Sequence, residues 1–195
     1  GTWTQANEAI RVHPENPRYF EWRGEAVALI TSAEHYGAVL NLDFDWRKYL
    51  ETLERDGMNY TRVFSGSYVE PPGAFGIERN TLAPARGRFL APWARSDEPG
   101  YAGGGNKFDL DRFSQAYLSR LKAFVDEAGR RRVVVELTFF SSTYSDKQWA
   151  VHPFNPSNNI QELAVTDWRK LHTPKNGPAM AYQEIGGPRH RYGAV

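Results

Sequence analysis

The sequence predicts an α/β fold of parallel strands joined by right-handed crossover helices. Three observations predict it. First, an apolar run at residues 26–30 reads as a buried strand and passes into Thr31-Ser32-Ala33-Glu34-His35-Tyr36-Gly37. Second, the pattern recurs twice: residues 59–64 lead into Ser65-Gly66-Ser67-Tyr68, and residues 133–140 lead into Ser141-Ser142-Thr143-Tyr144. Third, helical periodicity fills the gaps, giving the order strand, helix, strand, helix, strand. Polar and aromatic residues at the C-terminal ends of parallel strands are where such folds hold their chemistry. The three ends therefore predict one shared mouth with a ligand in it.

Each element has a local reason. Residues 1–18 lack periodicity, and Pro14 and Pro17 mark an extended lead-in. Tyr19-Phe20-Glu21-Trp22, then Arg23-Gly24-Glu25, reads as a hairpin that passes into the first core strand at residues 26–31. Asp43 or Asp45 can cap a helix whose apolar positions are Trp46, Tyr49, Leu50 and Leu53, with Gly57 as its stop. Residues 58–64 form the next strand. Residues 65–107 form a very long connection rich in Pro, Gly and Arg, with Trp93, Tyr101 and Gly103-Gly104-Gly105 in it; a loop of this length points to function. Asp109 or Asp111 then caps an amphipathic helix through Phe113, Tyr117, Leu121, Phe124 and Ala128, which Gly129 ends. Residues 133–140, dense in β-branched and aromatic side chains, are the third strand.

Composition narrows the function. The 195 residues are enough for one domain with a sizeable core. Lys plus Arg number 24 and Asp plus Glu 23, so the net charge of +1 lacks the electrostatic footprint of a nucleic-acid binder. The tightest basic run, Arg130-Arg131-Arg132, reads as a solvated turn and not as a membrane surface. No stretch is apolar for long enough to cross a bilayer. The absence of Cys excludes disulfides and thiolate metal sites. Aromatic residues make up 14% of the chain, and many lie in Gly- and Pro-containing loops, where they can pack or can stack on the apolar C–H faces of sugar rings.

Several segments carry a family resemblance. His13-Pro14-Glu15-Asn16-Pro17-Arg18-Tyr19-Phe20, Ser32-Ala33-Glu34-His35-Tyr36-Gly37, Asn59-Tyr60-Thr61-Arg62-Val63-Phe64, Pro92-Trp93-Ala94-Arg95 and Asn158-Asn159 resemble bacterial cellulase-like proteins. Those are (β/α)8 TIM-barrel glycoside hydrolases related to glycoside hydrolase family 5, in clan A of retaining glycosidases. The resemblance spans residues 12–184. It implies a partial TIM barrel, the first three βα units with long βα loops. It divides the chain into an extended segment at 1–18, the N-terminal part of a glycosidase domain at 19–184, and an aberrant or disordered tail at 185–195. The tail is set apart because relatives continue past Glu184 as a long helix, which Gly186-Gly187-Pro188 cannot do.

In that clan the acid/base Glu follows strand four in an Asn-Glu-Pro motif, and the nucleophile Glu ends strand seven. Neither is matched in this sequence. The resemblance thus implies the N-terminal portion of a retaining hydrolase of β-linked poly- or oligosaccharides, inactive alone, with both catalytic Glu residues expected beyond the chain end. The alternatives are a non-catalytic carbohydrate-binding protein, or a fragment without independent function. The partner implied is a carbohydrate; nucleic acid, membrane, metal and cofactor are not. The family's habit implies an extracellular or periplasmic protein.

The resemblance also assigns site residues. Arg62 stands where the clan's Arg keeps the nucleophile carboxylate ionised. Period-two alternation puts Phe64 on the same face as Arg62, and one of two phases for the third strand brings Glu136 there as its charge partner. Glu34, His35 and Tyr36 either bind sugar hydroxyls, with Glu34 and His35 favoured over Tyr36, or form a packed loop with a satisfied His. Phe64, Tyr68 and Phe140 line the expected mouth or belong to the core. Trp93 and Trp149 serve as sugar platforms or as anchors of long loops, and Asn158 and Asn159 bond hydroxyls or cap turns.

Other motifs fail. Gly103-Gly104-Gly105-Asn106-Lys107 lacks the phosphate-loop spacing and its final Ser or Thr. Asp109-Leu110-Asp111 lacks the rest of a calcium loop. There is no His-Glu-x-x-His and no Gly-x-Ser-x-Gly. Asn59-Tyr60-Thr61 fits a glycosylation sequon but falls on a predicted buried strand.

Overall fold

The computed structural model describes residues 10–162 except 33, 34, 140 and 142. Glu34, Phe140 and the expected tail at 185–195 lie outside the described residues. The described chain is mixed α/β, with three small sheets: β1 (Arg11–Val12), β2 (Phe20–Trp22) and β3 (Glu25–Val27) in one, β4 (Tyr60–Phe64) and β7 (Val134–Thr138) in another, β5 (Trp93–Pro99) and β6 (Asn106–Phe113) in the third. Three α-helices accompany them: α1 (Trp46–Arg55), α2 (Gln115–Arg130) and α3 (Asp146–Val151). No closed barrel forms among the described residues.

The first helix forms as its sequence dictates. Asp45 is the N-cap, and its side chain accepts from Lys48 N at 3.0 Å. Trp46, Tyr49, Leu50 and Leu53 are buried on one face. The end is a Schellman turn: Gly57 at φ +72° donates to Glu54 O (3.1 Å), and Met58 N to Leu53 O (2.8 Å). A Cβ at position 57 would meet nothing within 4 Å, so Gly57→Ala tests backbone conformation alone. It should cost about 1 kcal/mol, read as a lower urea midpoint at unchanged slope. No shift in midpoint would contradict the assignment.

The second helix begins later than expected. Ser114 caps it, accepting from Tyr117 N at 3.2 Å, while Asp109 and Asp111 belong to β6. Phe113 is accordingly an exposed strand end. Gly129 lies inside the helix. The left-handed residue past its end is Arg132, at φ +59°, with Val133 N donating to Ala128 O at 2.8 Å. Tyr117, Phe124 and Ala128 of α2 are buried, as the periodicity predicts.

β4 and β7 pair in parallel, with Arg62 beside Glu136 and Phe64 beside Thr138. Thr61 and Val63 alternate with Arg62 and Phe64, so the former face the helices. Val63 joins Leu50, Leu53, Phe124, Ala128 and Val133 in the core between sheet and helices. The Tyr49 hydroxyl meets Thr61 Oγ1 there at 2.8 Å.

The expected first core strand needs correction. Residues 26–27 belong to β3, in an antiparallel hairpin with β2 turned at Arg23-Gly24, and β1 adds to the far side of β2. Ile30 is 55% exposed, not buried. The stretch beyond β3 follows β4 in parallel but irregularly. Ile30 O accepts from Asn59 N and Tyr60 N, and Tyr36 O accepts from Phe64 N at 2.8 Å. The Asn59 amide replaces ladder rungs, accepting from Ile30 N (2.8 Å) and donating to Ala28 O (2.9 Å). A side chain thus shares the pairing with the backbone.

The long connection is also corrected: it is not structureless. β5 lies in it and pairs antiparallel and irregularly with β6, which runs on past its end, and the two build a second core with Tyr68, Leu82, Phe89, Tyr101, Phe108, Trp149 and Phe154. Arg95 crosses this core with its guanidinium 3.9 Å from the Phe108 ring centre and 4.5 Å from that of Tyr101. Its donors go to Asn106 O and Phe89 O, and burial lowers its pKa.

Candidate functional site

The face of β4 and β7 turned away from the helices carries the charge. Tyr60, Arg62 and Phe64 share it with Val134, Glu136 and Thr138. Arg62 Nε lies 2.8 Å from Glu136 Oε1 in ion-pair geometry, and Nη2 donates to Oε2 at 3.2 Å. The Tyr60 hydroxyl donates to the same Oε2. Desolvation pushes the Glu136 pKa up, but the hydrogen bonds from Tyr60 and Arg62 outweigh it, so the carboxyl is held below its ordinary value. The Arg62 pKa is raised, chiefly by its bond to Glu136. Glu136 is thus an ionised charge partner. The pair is 42% and 44% exposed.

Aromatic rings continue from this pair. Tyr36 stacks on Phe64 with centroids 5.1 Å apart and planes within 9°, and the Arg62 Cζ is 6.0 Å from the Tyr36 ring centre. Gly37 fixes the Tyr36 loop: its N–H reaches Thr81 Oγ1 at 3.2 Å, and a Cβ there would sit 1.9 Å from Thr81 O. Tyr68 meets Phe64 edge-on at 5.5 Å. Its hydroxyl donates to buried Glu70 (2.6 Å) and accepts from Gln148 Nε2 (2.9 Å). Burial, then the bond to Glu70, raises the Tyr68 pKa. Asn80 donates to the other Glu70 oxygen.

The structure gathers Tyr36, Arg62, Phe64 and Tyr68 at one place. It sends the other expected residues elsewhere. His35 packs against Phe44 and Tyr49 of the helical side, away from the Tyr36–Phe64 stack. Trp93, on β5, is partly buried 4.8 Å from Phe154, and Trp149, on α3, is buried against His152, so both pack in the second core. Asn158 and Asn159 are 0% exposed and donate to backbone carbonyls of residues 150–155, the turn-holding arrangement of the two alternatives. Tyr68 is 4% exposed and supports the site from below.

Sequence reasoning missed Glu70 and Phe75, and named Tyr144 only within the segment that ends the third strand. Phe75 had a readable signal in Pro71-Pro72-Gly73-Ala74-Phe75-Gly76, a tight turn presenting one aromatic side chain. Glu70 had none, since its burial depends on residues far along the chain.

No protein-family model matches the chain, and a search of curated proteins returns no match. Among solved structures, a protein described as a "putative glycoside hydrolase" from Bacteroides vulgatus superposes with a TM-score of 0.48 at 13% identity, over 97% of this chain and 39% of that one. A superposition this loose does not establish a shared fold. The chain spans well under half the length of that protein.

Proposed function

We propose that this chain is the N-terminal, saccharide-binding portion of a retaining glycoside hydrolase acting on β-linked poly- or oligosaccharides. It supplies binding walls and Arg62, and neither catalytic Glu. The observation that carries the reading is the stacked Tyr36–Phe64 pair beside the Arg62–Glu136 pair on the central rung of parallel β4 and β7. Aromatic faces receive the apolar C–H face of a pyranose, and the flanking charges receive its hydroxyls. The family resemblance of the sequence adds the reaction class. A retaining enzyme needs two carboxyl groups ~5–5.5 Å apart, and Glu136 is already committed to Arg62 and Tyr60.

Calorimetric titration with cello-, xylo- and manno-oligosaccharides tests the binding step. Saturable binding to at least one series is expected, weakened about tenfold by Tyr36→Ala. No binding to any series would defeat the reading. Aryl-glycoside turnover by the 195-residue chain, absent from a mock purification, would contradict the missing carboxylates.

A further inference from the structure

The aromatic line does not stop at Tyr68. Tyr144 meets Tyr68 edge-on at 6.4 Å, and Phe75 meets Tyr144 edge-on at 6.3 Å. Tyr36, Phe64, Tyr68, Tyr144 and Phe75 thus form a chain of five rings with steps of 5.1 to 6.4 Å. Tyr68 is buried in the middle, whereas Tyr144 is 54% and Phe75 68% exposed. Phe75 also stands at φ +55°, between Gly73 at +77° and Gly76 at +71°. A bulky side chain in the left-handed region is strained, and glycine would relieve it. The turn therefore holds an exposed ring in a conformation that disfavours it, at the far end of a line that starts beside Arg62.

We propose that Phe75 and Tyr144 form an outer saccharide platform, so that the ligand is an oligosaccharide long enough to reach from Tyr36 and Phe64 to Phe75. This rests on the saccharide-binding reading above. The occupant is a carbohydrate because the outer rings continue the line flanked by Arg62 and Glu136, where charge meets hydroxyls. An apolar peptide would leave those charges desolvated.

The test is affinity against chain length. Cello-, xylo- and manno-oligosaccharides of two to six units are titrated into the 195-residue protein and into the double variant Phe75→Ala, Tyr144→Ala. In the series that binds, wild-type affinity should rise with length, and the variant should lose at least about tenfold for the longest member while binding the disaccharide unchanged. Phe75→Gly should raise the thermal midpoint yet weaken the long ligand, a split that a purely structural ring would not give. Equal wild-type affinity for two and six units, or an unchanged length dependence in the variant, overturns the platform and leaves the inner site standing. Absence of all binding overturns both. A concentration-dependent dimer that the double variant abolishes, with sugar binding intact, assigns the rings to contact between copies and overturns the proposal.

Discussion

Replacing Arg120 by Met is expected to cost the protein about 3 kcal/mol of folding stability. Arg120 reaches from α2 to the turn that follows Tyr36. Its Nε donates to Val39 O (2.9 Å), and its Nη2 fans over Ala38 O (3.1 Å), Asn41 O (2.9 Å) and Phe44 O (3.0 Å). Asn41 O and Phe44 O also accept from backbone N–H groups, of Phe44 and Trp46 respectively. Ala38 and Val39, both fully buried, rely on the guanidinium. Leaving two buried carbonyls without their charged donor accounts for most of the figure, since each such bond contributes ~1.5–3 kcal/mol. An opposing effect keeps the sum from being larger: desolvation, Arg47 and Arg88 already lower the Arg120 pKa, so removing the cation also relieves a cost. Arg120→Lys should recover less than half of the loss, because one ammonium cannot span the fork. Urea unfolding decides it. A Met variant within experimental error of wild type would show that the turn holds without α2.

That contact shows why part of the architecture was readable and part was not. The first helix was legible because its signals are local: Asp45, a 3.6-residue apolar rhythm, and Gly57. Alternation offered the pairing of Arg62 with Glu136 as one of two phases, and the parallel register selects it. By contrast, the apolar run at residues 26–30 looked like a core strand, yet its pairing runs partly through the Asn59 side chain, and hydrophobicity says nothing about that. The β5–β6 hairpin had an unread signal, since Phe108 and Leu110 alternate with polar residues before the Ser114 cap. Helical periodicity from Phe113 onward masked it. Asn158, Asn159 and Trp149 look like loop residues in sequence, but the second core that buries them is assembled from segments as far back as Leu40. In the candidate site, residues on β4 were legible from strand phase. Those on the surrounding loops, His35 and Tyr36 above all, were not, because a loop's direction is a tertiary property.

Acid should destabilise the protein between about pH 6.5 and 4.5, and His152 should be responsible for much of it. The imidazole is buried between Trp149 (centroids 5.2 Å apart) and Phe154 (5.3 Å). Its Nδ1 accepts from Phe154 N at 3.0 Å, which requires the neutral ring. Burial pushes its pKa down to about 3, while a hydrogen bond to the Ser67 backbone raises it only slightly by comparison. In the unfolded chain an ordinary His has a pKa of ~6.5. The unfolded state therefore takes up the proton first, and stability is lost as pH falls below ~6.5 at up to ~1.4 kcal/mol per unit. Between pH 7.5 and 4.5 the loss from this group reaches about 3 kcal/mol. The carboxyls held below their usual range, Asp109 and Glu136 among them, act in a lower window, because their stabilisation is lost only as pH falls through ~4. His152→Asn keeps an acceptor for Phe154 N but cannot take up a proton. It should be less stable than wild type at pH 7.5, from lost ring packing, and should show a flatter decline toward pH 4.5, so that the two curves converge. Parallel curves would mean that the imidazole is not the group that acid charges.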